Sequence, residues 1–310
     1  IKAALGAFPF PTFWGPLAGI KSSEWIAASA RWVEEKHQPD LSLVYLPHLD
    51  YNLQRLGPND PKMAADYREI DRVAGDLIEF YQQRDIRPIV LSEYGITAGN
   101  RSIALNRVFR AQGWITIKDE MGLELLDCGA SKVFAIADHQ IAHIYVNDPA
   151  LLAQVRTVVE SVEGVARVLD STEQAAEGLD HARSGDLIAF STEDAWFNYY
   201  YWDDDRKAPD FARCVDIHRK YGYDPVELFV DPAIKLPKLK IATKLLRKIL
   251  GFRILMDVIP LDPSLVKGSH GTVPADTAEW PVLLGLGTTE ADAPIPATEV
   301  HSRLLTACER

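Results

Sequence analysis

Hydrophobic and polar residues alternate along the first third of the chain with the periods of helices and of short buried strands. Apolar positions recur every three to four residues over residues 22–36, again after Asp60 and again over residues 103–109, so these stretches are predicted to be helices. Continuous apolar runs over residues 41–50 and 87–91 predict buried strands between them. Strands that alternate with helices favour an α/β fold with a mostly parallel sheet sandwiched by helices.

The pattern changes near residue 131, where short strands follow one another with little helix between them. Apolar runs predict strands over residues 133–137, 141–146, 165–170 and 186–191, with one helix over residues 148–164. The economical interpretation is a small α+β cap inserted into the core. The predicted organisation is an α/β core over residues 1–130, a cap over 131–206, and a return to the core with a C-terminal tail over 207–310.

An aromatic run closes the predicted cap at residues 196–202. On a strand its rings would alternate between two faces, so one set is predicted to pack in the core. The other set would be free to stack on a base or to line an apolar pocket.

A basic amphipathic segment lies in the C-terminal third. Residues 235–253 place leucine and isoleucine on one stripe among lysines. This pattern indicates either a helix that binds a membrane surface or an anionic partner, or a solvated helix whose stripe packs on the core. The next apolar run, residues 251–261, predicts a strand that returns to the main sheet. Residues 288–298 are predicted to form a loose surface loop.

Composition narrows the class of protein. The chain has 310 residues, of which 47% are hydrophobic and 25% charged, a balance typical of globular proteins, and it contains no apolar run long enough to span a membrane. A net charge of -11 argues against binding of a nucleic-acid polymer but leaves room for a small phosphorylated ligand. The three cysteines are far apart and form no CxxC pair, which favours a reducing compartment, and we expect a cytoplasmic protein.

Polar side chains with metal-binding groups follow the ends of several apolar elements. Carboxylate, amide, phenol and imidazole groups are all ligands for divalent ions, and strand ends bring distant residues together. The positions are His48, Asp50 and Gln54 in the first segment, Glu93 and Tyr94 in the second, and His270 in the third. Each residue alone is more typical of a cap or a turn, but together they predict a metal site.

These segments resemble motifs of the alkaline phosphatase superfamily, in its nucleotide pyrophosphatase/phosphodiesterase branch. The resemblance extends from about residue 5 to residue 287 and includes FPFPTFWGP, Y-x-P-x-x-D with x-x-x-Q-x-x-G-P, SEYG, HQIAHIYV and GSHG. In the family the metal motifs are Asp-x-x-Gly-His-x-x-Gly-Pro, Ser-Asp-His-Gly and Gly-x-His-Gly. The resemblance implies an alkaline-phosphatase-like fold and a hydrolase that depends on two divalent metal ions.

The ligand set that the resemblance implies departs from the family pattern at three positions. Asp50, Gln54 and His270 correspond to the ligands of one ion, with glutamine in place of histidine. Glu93 and Tyr94 correspond to the aspartate and histidine of the second ion. A set poor in nitrogen and rich in oxygen favours manganese, magnesium, calcium or iron over zinc.

Three further residues are weaker candidates for metal ligands. His48 lies two positions before Asp50 and would share its face of a strand, and Asp216 and His218 would share a face in the same way. The alternative for each is a hydrogen-bonded residue of a strand or loop.

The family's nucleophile is a threonine or serine on an upstream motif, and the sequence gives it no counterpart. Thr12 imitates that motif, but it lies too close to Asp50 for the family spacing, so its predicted role is structural. The chain begins at Ile1 rather than methionine. We therefore expect the nucleophile before residue 1, and we expect residues 1–310 alone to be inactive.

The sequence leaves two functions open. The first is a metal-dependent hydrolase of phosphodiester or pyrophosphate bonds that acts on a small phosphorylated substrate. The second is a non-hydrolytic binding protein for a phosphorylated metabolite, which keeps the fold with a degenerate metal site. The three altered ligands favour the second function, and the intact framework around them favours the first.

Overall fold

The computed structural model describes residues 1–286 and 294–308, so part of the predicted surface loop at residues 288–298 lies outside the described residues. The helices are α1 (Lys2–Leu5), α2 (Ile20–His37), α3 (His48–Leu56), α4 (Met63–Gln82), α5 (Leu105–Ala111), α6 (Leu152–Glu160), α7 (Ser171–Ala176), α8 (Pro237–Ile249) and α9 (Val300–Cys308). In this part of the chain, no helix is both long enough and apolar enough to cross a membrane.

The strands are short and form several small sheets. They are β1 (Val90–Leu91), β2 (Thr97–Ala98), β3 (Arg101–Ile103), β4 (Ile117–Glu120), β5 (Leu123–Leu126), β6 (Val133–Asp138), β7 (Ile141–Val146), β8 (Val165–Leu169), β9 (Leu187–Ser191), β10 (Ala195–Phe197), β11 (Gly268–Ser269) and β12 (Leu283–Leu284). The mixed α/β class predicted from the sequence is confirmed.

The largest sheet is antiparallel and occupies the predicted cap, with strand order β6-β7-β9-β8. Helices α5 and α6 pack on it, and their apolar residues share one core with the inward side chains of the strands. Phe109 of α5, Val155 of α6 and Ile144 of β7 are fully buried there. Apolar runs predicted the strands of this sheet; β6 and β7 alternate between buried and more exposed positions, whereas β9 is buried throughout. The domain boundaries at residues 131 and 206 remain a prediction.

Among the described strands, parallel pairing is confined to β3 and β10. Strands β1 and β2 lie where the parallel sheet was expected, but they pair antiparallel with β12 and β11. An apolar run predicts an extended segment without specifying its partner or direction. Here the partner strands, β12 and β11, belong to the C-terminal third of the chain and run antiparallel to β1 and β2.

Two predicted strands are not strands in the described structure. Residues 41–46 are extended without ladder pairing, and helix α3 begins at His48. Residues 252–260 also form no ladder and instead make single backbone hydrogen bonds, such as that from Ile259 N–H to the Arg213 carbonyl. An apolar run predicts extended backbone without giving it a pairing partner. Residues 254–260 are partly or fully buried without one, whereas Leu41, Leu43 and Tyr45 are exposed, so the prediction of a buried strand over residues 41–50 is wrong.

The aromatic run near residue 200 is buried on both faces. Only Ala195–Phe197 is a strand, and the rings of Trp196, Tyr199, Tyr200 and Trp202 are at most 1% exposed. The prediction that one face stays free for a base or a pocket is therefore wrong. The chain leaves the strand after Phe197, which removes the two-face alternation on which that prediction rested.

Helix α8 is the basic amphipathic segment, and no residue of it is fully buried. Ile241 packs partly against the buried Val258, and Lys244 donates to the Leu255 carbonyl and pairs with Asp257 at 2.6 Å. Ile249, at the C-terminal end of the stripe, is 81% exposed. One end of the stripe thus rests on the core, while the other end faces solvent.

A buried ion cluster joins the N-terminal segment to the loop that follows residue 216. The Lys220 ammonium contacts the Asp224 carboxylate at 2.8 Å and the Glu227 carboxylate at 2.7 Å, and all three side chains are fully buried. Glu227 also accepts hydrogen bonds from the Trp14 indole at 2.6 Å and from the Asp216 backbone N–H at 3.0 Å. The cluster is therefore both charge-paired and hydrogen-bonded, as a buried charge requires.

Candidate functional site

Helix α3 carries two of the predicted ligands on one face. Its first turn contains Asp50, where a carboxylate is stabilised by the free N–H groups of a helix start. Gln54 follows four residues later, so the two side chains are neighbours along the helix. His48 precedes Asp50 by two residues, which in a helix places the two side chains about 200° apart. The prediction that they share a strand face is therefore wrong, because the segment is helical.

The β2–β11 pair brings the GSHG segment against α3. The Lys267 N–H donates to the Gln54 carbonyl at 2.8 Å, and a Cβ built on Gly268 would lie 2.3 Å from the Leu53 carbonyl oxygen. Only glycine allows this approach of backbone to backbone. As a result His270 Nε2 lies 3.9 Å from Asp50 Oδ1, and both side chains are 13% exposed.

Tyr94 lies between these two residues. Its hydroxyl donates a hydrogen bond to Asp50 Oδ1 at 3.1 Å, and its ring stacks on the His270 ring with a centroid distance of 3.6 Å and an angle of 5°. The following Gly95 is needed for a close approach, since a Cβ there would lie 1.6 Å from the Glu279 carbonyl oxygen. Glu93 is exposed beside them.

Two site residues were missed by the sequence reasoning. The His139 ring packs against His270 with a centroid distance of 3.8 Å, and the Tyr223 ring packs against His139 at 4.0 Å. With Tyr94 they form a stack of four rings, which we call the ring stack. His139 occupies the tight turn between β6 and β7 with φ 55°, a conformation that is uncommon for a residue other than glycine and that the sequence alone does not reveal.

Gln140 fixes the GSHG segment from the same turn. Its N–H donates to the His270 carbonyl at 2.9 Å, and its side-chain oxygen accepts from the Thr272 N–H at 3.0 Å. Its amide nitrogen donates to Thr97 Oγ1 at 3.0 Å. The predicted cap therefore reaches the site through the β6–β7 turn.

Burial controls the charges in the site. Desolvation raises the pKa of Asp50 to about 6; contacts with Gln54 and Tyr94 oppose the shift, and the charge of Glu93 adds to it. Desolvation also lowers the pKa of His270 to about 4, so its imidazole is neutral at pH 7. Burial and the charge of Asp50 raise the pKa of Tyr94, which keeps its phenol protonated.

The residues present fit one divalent ion. Within the described structure, His270 Nε2 and both polar atoms of the Gln54 amide are buried and make no hydrogen bond. Buried polar atoms without partners are costly, and a bound cation would satisfy a neutral imidazole nitrogen, an amide oxygen and a carboxylate together. The phenol of Tyr94 is protonated and already bonded to Asp50, which makes it a poor ligand in this arrangement.

The remaining candidates lie away from this group. Asp216 and His218 belong to the loop over the buried ion cluster, where His218 is exposed and Asp216 lies 3.9 Å from the Arg219 guanidinium. Thr12 donates its hydroxyl to the Pro9 carbonyl at 2.8 Å inside a short 3-10 turn. His48 faces helix α4 rather than Asp50.

A family model described as type I phosphodiesterase / nucleotide pyrophosphatase matches residues 4–224. An uncharacterized pyrophosphatase/phosphodiesterase of Schizosaccharomyces pombe is 36% identical over 86 residues, which cover 25% of this chain and 18% of that protein.

Two solved structures show a partial likeness. Phosphonoacetate hydrolase from Sinorhizobium meliloti, in complex with phosphonoacetate, is 17% identical with a TM-score of 0.46, over 64% of this chain and 46% of that one. Murine ectonucleotide pyrophosphatase/phosphodiesterase 5, in an inactive form with AMP, is 18% identical with a TM-score of 0.42, over 57% of this chain and 45% of that one. This chain thus spans less than half of either structure.

Proposed function

Because the chain belongs to the type I phosphodiesterase / nucleotide pyrophosphatase family, we propose that it is part of a metal-dependent hydrolase of phosphodiester or pyrophosphate bonds. One observation carries the proposal. Asp50 and Gln54 of α3 converge with the distant His270, and within the described residues the buried Gln54 amide and His270 Nε2 make no hydrogen bond. A purely structural cluster would have paired those atoms.

In this proposal Asp50, Gln54 and His270 hold one divalent ion and Glu93 approaches a second, while Tyr94, predicted as its partner, stays protonated and bonded to Asp50. A divalent ion in such a site supplies Lewis acidity to a phosphoryl oxygen and to an attacking hydroxyl. The protein keeps His270 neutral through burial, so its Nε2 lone pair is available at pH 7. Tyr94 holds Asp50 in place by its hydrogen bond.

The ring stack positions His270. The stacked Tyr94 ring and the tilted His139 ring both contact the imidazole and restrict its movement, and Gln140 holds the backbone of His270 by a hydrogen bond. Preorganised ligands of this kind lower the cost of assembling the site. We propose that the region of residues 131–206 is a cap over the site, with a small phosphorylated substrate between cap and core.

The experiment is hydrolysis of a nitrophenyl phosphodiester by the full-length protein, with divalent metals added one at a time. The proposal expects metal-stimulated turnover that is lost in Asp50→Ala and in His270→Ala. Turnover equal in wild type and both variants would contradict it.

One observation favours the alternative, a binding protein for a phosphorylated metabolite. Tyr94 donates to Asp50, and this bond satisfies an oxygen that a metal would otherwise use. Metal analysis of purified full-length protein separates the two functions. Bound metal that disappears in Asp50→Ala supports the hydrolase, and a metal content unaffected by Asp50→Ala supports the binding protein.

A further inference from the structure

A second group of ligand atoms lies between helices α3 and α4, outside the candidate active site. His48 is the first residue of α3, and its Nε2 lies 3.2 Å from Asp66 Oδ1 and 3.3 Å from Glu69 Oε2. Asp66 and Glu69 are three residues apart on α4, so their carboxylates share one face of the helix. The three ligand atoms all lie within 4.8 Å of one another.

The geometry suits an ion better than hydrogen bonds. Although two carboxylate oxygens are close, neither ring nitrogen of His48 makes a hydrogen bond within the described residues. Both oxygens therefore lie off the direction of a ring N–H. Ligand atoms about 2.0–2.1 Å from a tetrahedral ion are about 3.3 Å apart, which matches both measured separations.

Neighbouring residues orient one carboxylate of the group, and the other carboxylate is open to solvent. The Asn52 amide donates to Asp66 Oδ1 at 2.8 Å and so orients this carboxylate. His48 is only 2% exposed, whereas the side chain of Glu69 is 50% exposed, which leaves a solvent-facing position for a water ligand. Arg55, a nearby cation, is engaged by the carbonyl oxygens of Leu228, Ala18 and Gly15 and by Asn52.

We propose that His48, Asp66 and Glu69 bind a divalent ion of the size of zinc, with water as the fourth ligand. One imidazole and two carboxylates match the ligand sets that zinc and similar transition ions take in proteins. The ion would clamp the start of α3 to α4. Asp50 lies on the other side of the same helical turn, so this ion is separate from any ion held by Asp50 and His270.

Cobalt(II) is the probe, because four-coordinate cobalt absorbs strongly in the visible range. The titration uses full-length protein carrying Asp50→Asn and His270→Asn, which removes the carboxylate and the imidazole of the candidate active site and separates the result from the hydrolase proposal. We expect one equivalent of cobalt with a tetrahedral spectrum. His48→Ala should abolish it, and Glu69→Gln should weaken binding at least tenfold.

Asp71→Asn is the matched control, since it removes the same charge from an exposed position on α4. It should leave cobalt affinity within about twofold of the background protein. Glu69→Gln alters a half-exposed side chain and should stay folded, so it tests the site even where His48→Ala lowers stability. Absence of a tetrahedral cobalt spectrum in the background protein, or equal affinity in Glu69→Gln, would overturn the proposal.

Discussion

The protonation state of a single carboxyl, that of Asp50, gives the candidate site a pH dependence. Its pKa is raised from 3.8 to about 6, so the folded protein holds this proton more tightly than the unfolded chain does. In metal-free protein, the tighter binding of this proton adds to the free energy of unfolding, and the added stability is fully present below pH 3.8. It is lost as the pH rises through about 6, by up to about 3 kcal/mol.

Asp50→Asn should remove the part of the pH dependence of the unfolding free energy that comes from Asp50. We compare the urea midpoints of wild type and Asp50→Asn at pH 4 and at pH 7, in the presence of a chelator. The difference between the two pH values should change in the variant by the equivalent of up to about 3 kcal/mol, the contribution of the Asp50 carboxyl. Other carboxyl groups contribute equally to both proteins and cancel in the comparison. Identical pH profiles for wild type and Asp50→Asn would show that Asp50 titrates normally.

His139 should act through its ring rather than through its nitrogens. Nδ1 makes no hydrogen bond among the described residues, and the contact with His270 is a tilted ring contact with an angle of 34° between the rings. His139→Ala is therefore expected to weaken metal binding by Asp50 and His270 about 10–100-fold, while His139→Phe retains most of the affinity. The measurement is metal titration of both variants in the full-length protein. Equal losses in both would indicate that the imidazole nitrogens matter.

The three altered ligands form, in our interpretation, a retuned site. The triple variant Gln54→His, Glu93→Asp and Tyr94→His should lower native activity, because the ring stack and the Tyr94–Asp50 hydrogen bond are built around a phenol. The check is kcat/KM of the full-length protein with each divalent metal in turn. A triple variant that binds two zinc ions and gains phosphodiesterase activity would contradict this view.

At the scale of elements, the contact between α3 and β11 sets the distance between Asp50 and His270. A Cβ on Gly268 would lie 2.3 Å from a backbone oxygen of α3, and neither backbone can yield by a rotamer change. Gly268→Ala should therefore lower the free energy of unfolding by about 1–3 kcal/mol and weaken metal binding as well.

Gly75→Ala in α4 is the control for this prediction. An added Cβ there meets no atom within 4 Å, and alanine is a better helix former, so this change should stabilise by about 0.5–1 kcal/mol. Urea unfolding of both variants gives the two values. A Gly268→Ala variant as stable as Gly75→Ala would mean that the α3–β11 contact is looser than described.

The helices could be predicted because their periodicity reflects one buried face, and the strands of the antiparallel sheet near residue 140 because they are short apolar runs. Asp50, Gln54 and His270 could be identified from their places after apolar elements and from the family motifs, but the sequence did not show that His48 faces away from them. That error follows from assigning a strand to a segment that is a helix from residue 48 onward. His139 could not be predicted because its role depends on a tertiary ring contact.

For the molecule as a whole, the buried ion cluster ties distant segments together. Lys220→Met would leave the Asp224 and Glu227 carboxylates buried without a cation, which should cost about 3–5 kcal/mol of unfolding free energy. Lys235→Met, at an exposed position, removes the same charge and should change stability by less than about 0.5 kcal/mol. Thermal or urea unfolding of both variants measures these changes in stability. Equal effects of Lys220→Met and Lys235→Met would contradict the prediction.

The convergence of Asp50, His139 and His270 also constrains when the site can exist during synthesis. Of the three, Asp50 is made first, His139 second and His270 last, so nascent chains that stop before residue 270 contain only part of the ligand set. Proteins fold from the N-terminus as they emerge, and contacts between distant segments form last. Occupancy of this site would thus distinguish chains that extend past residue 270 from shorter ones, even where helices α3 and α4 have already formed.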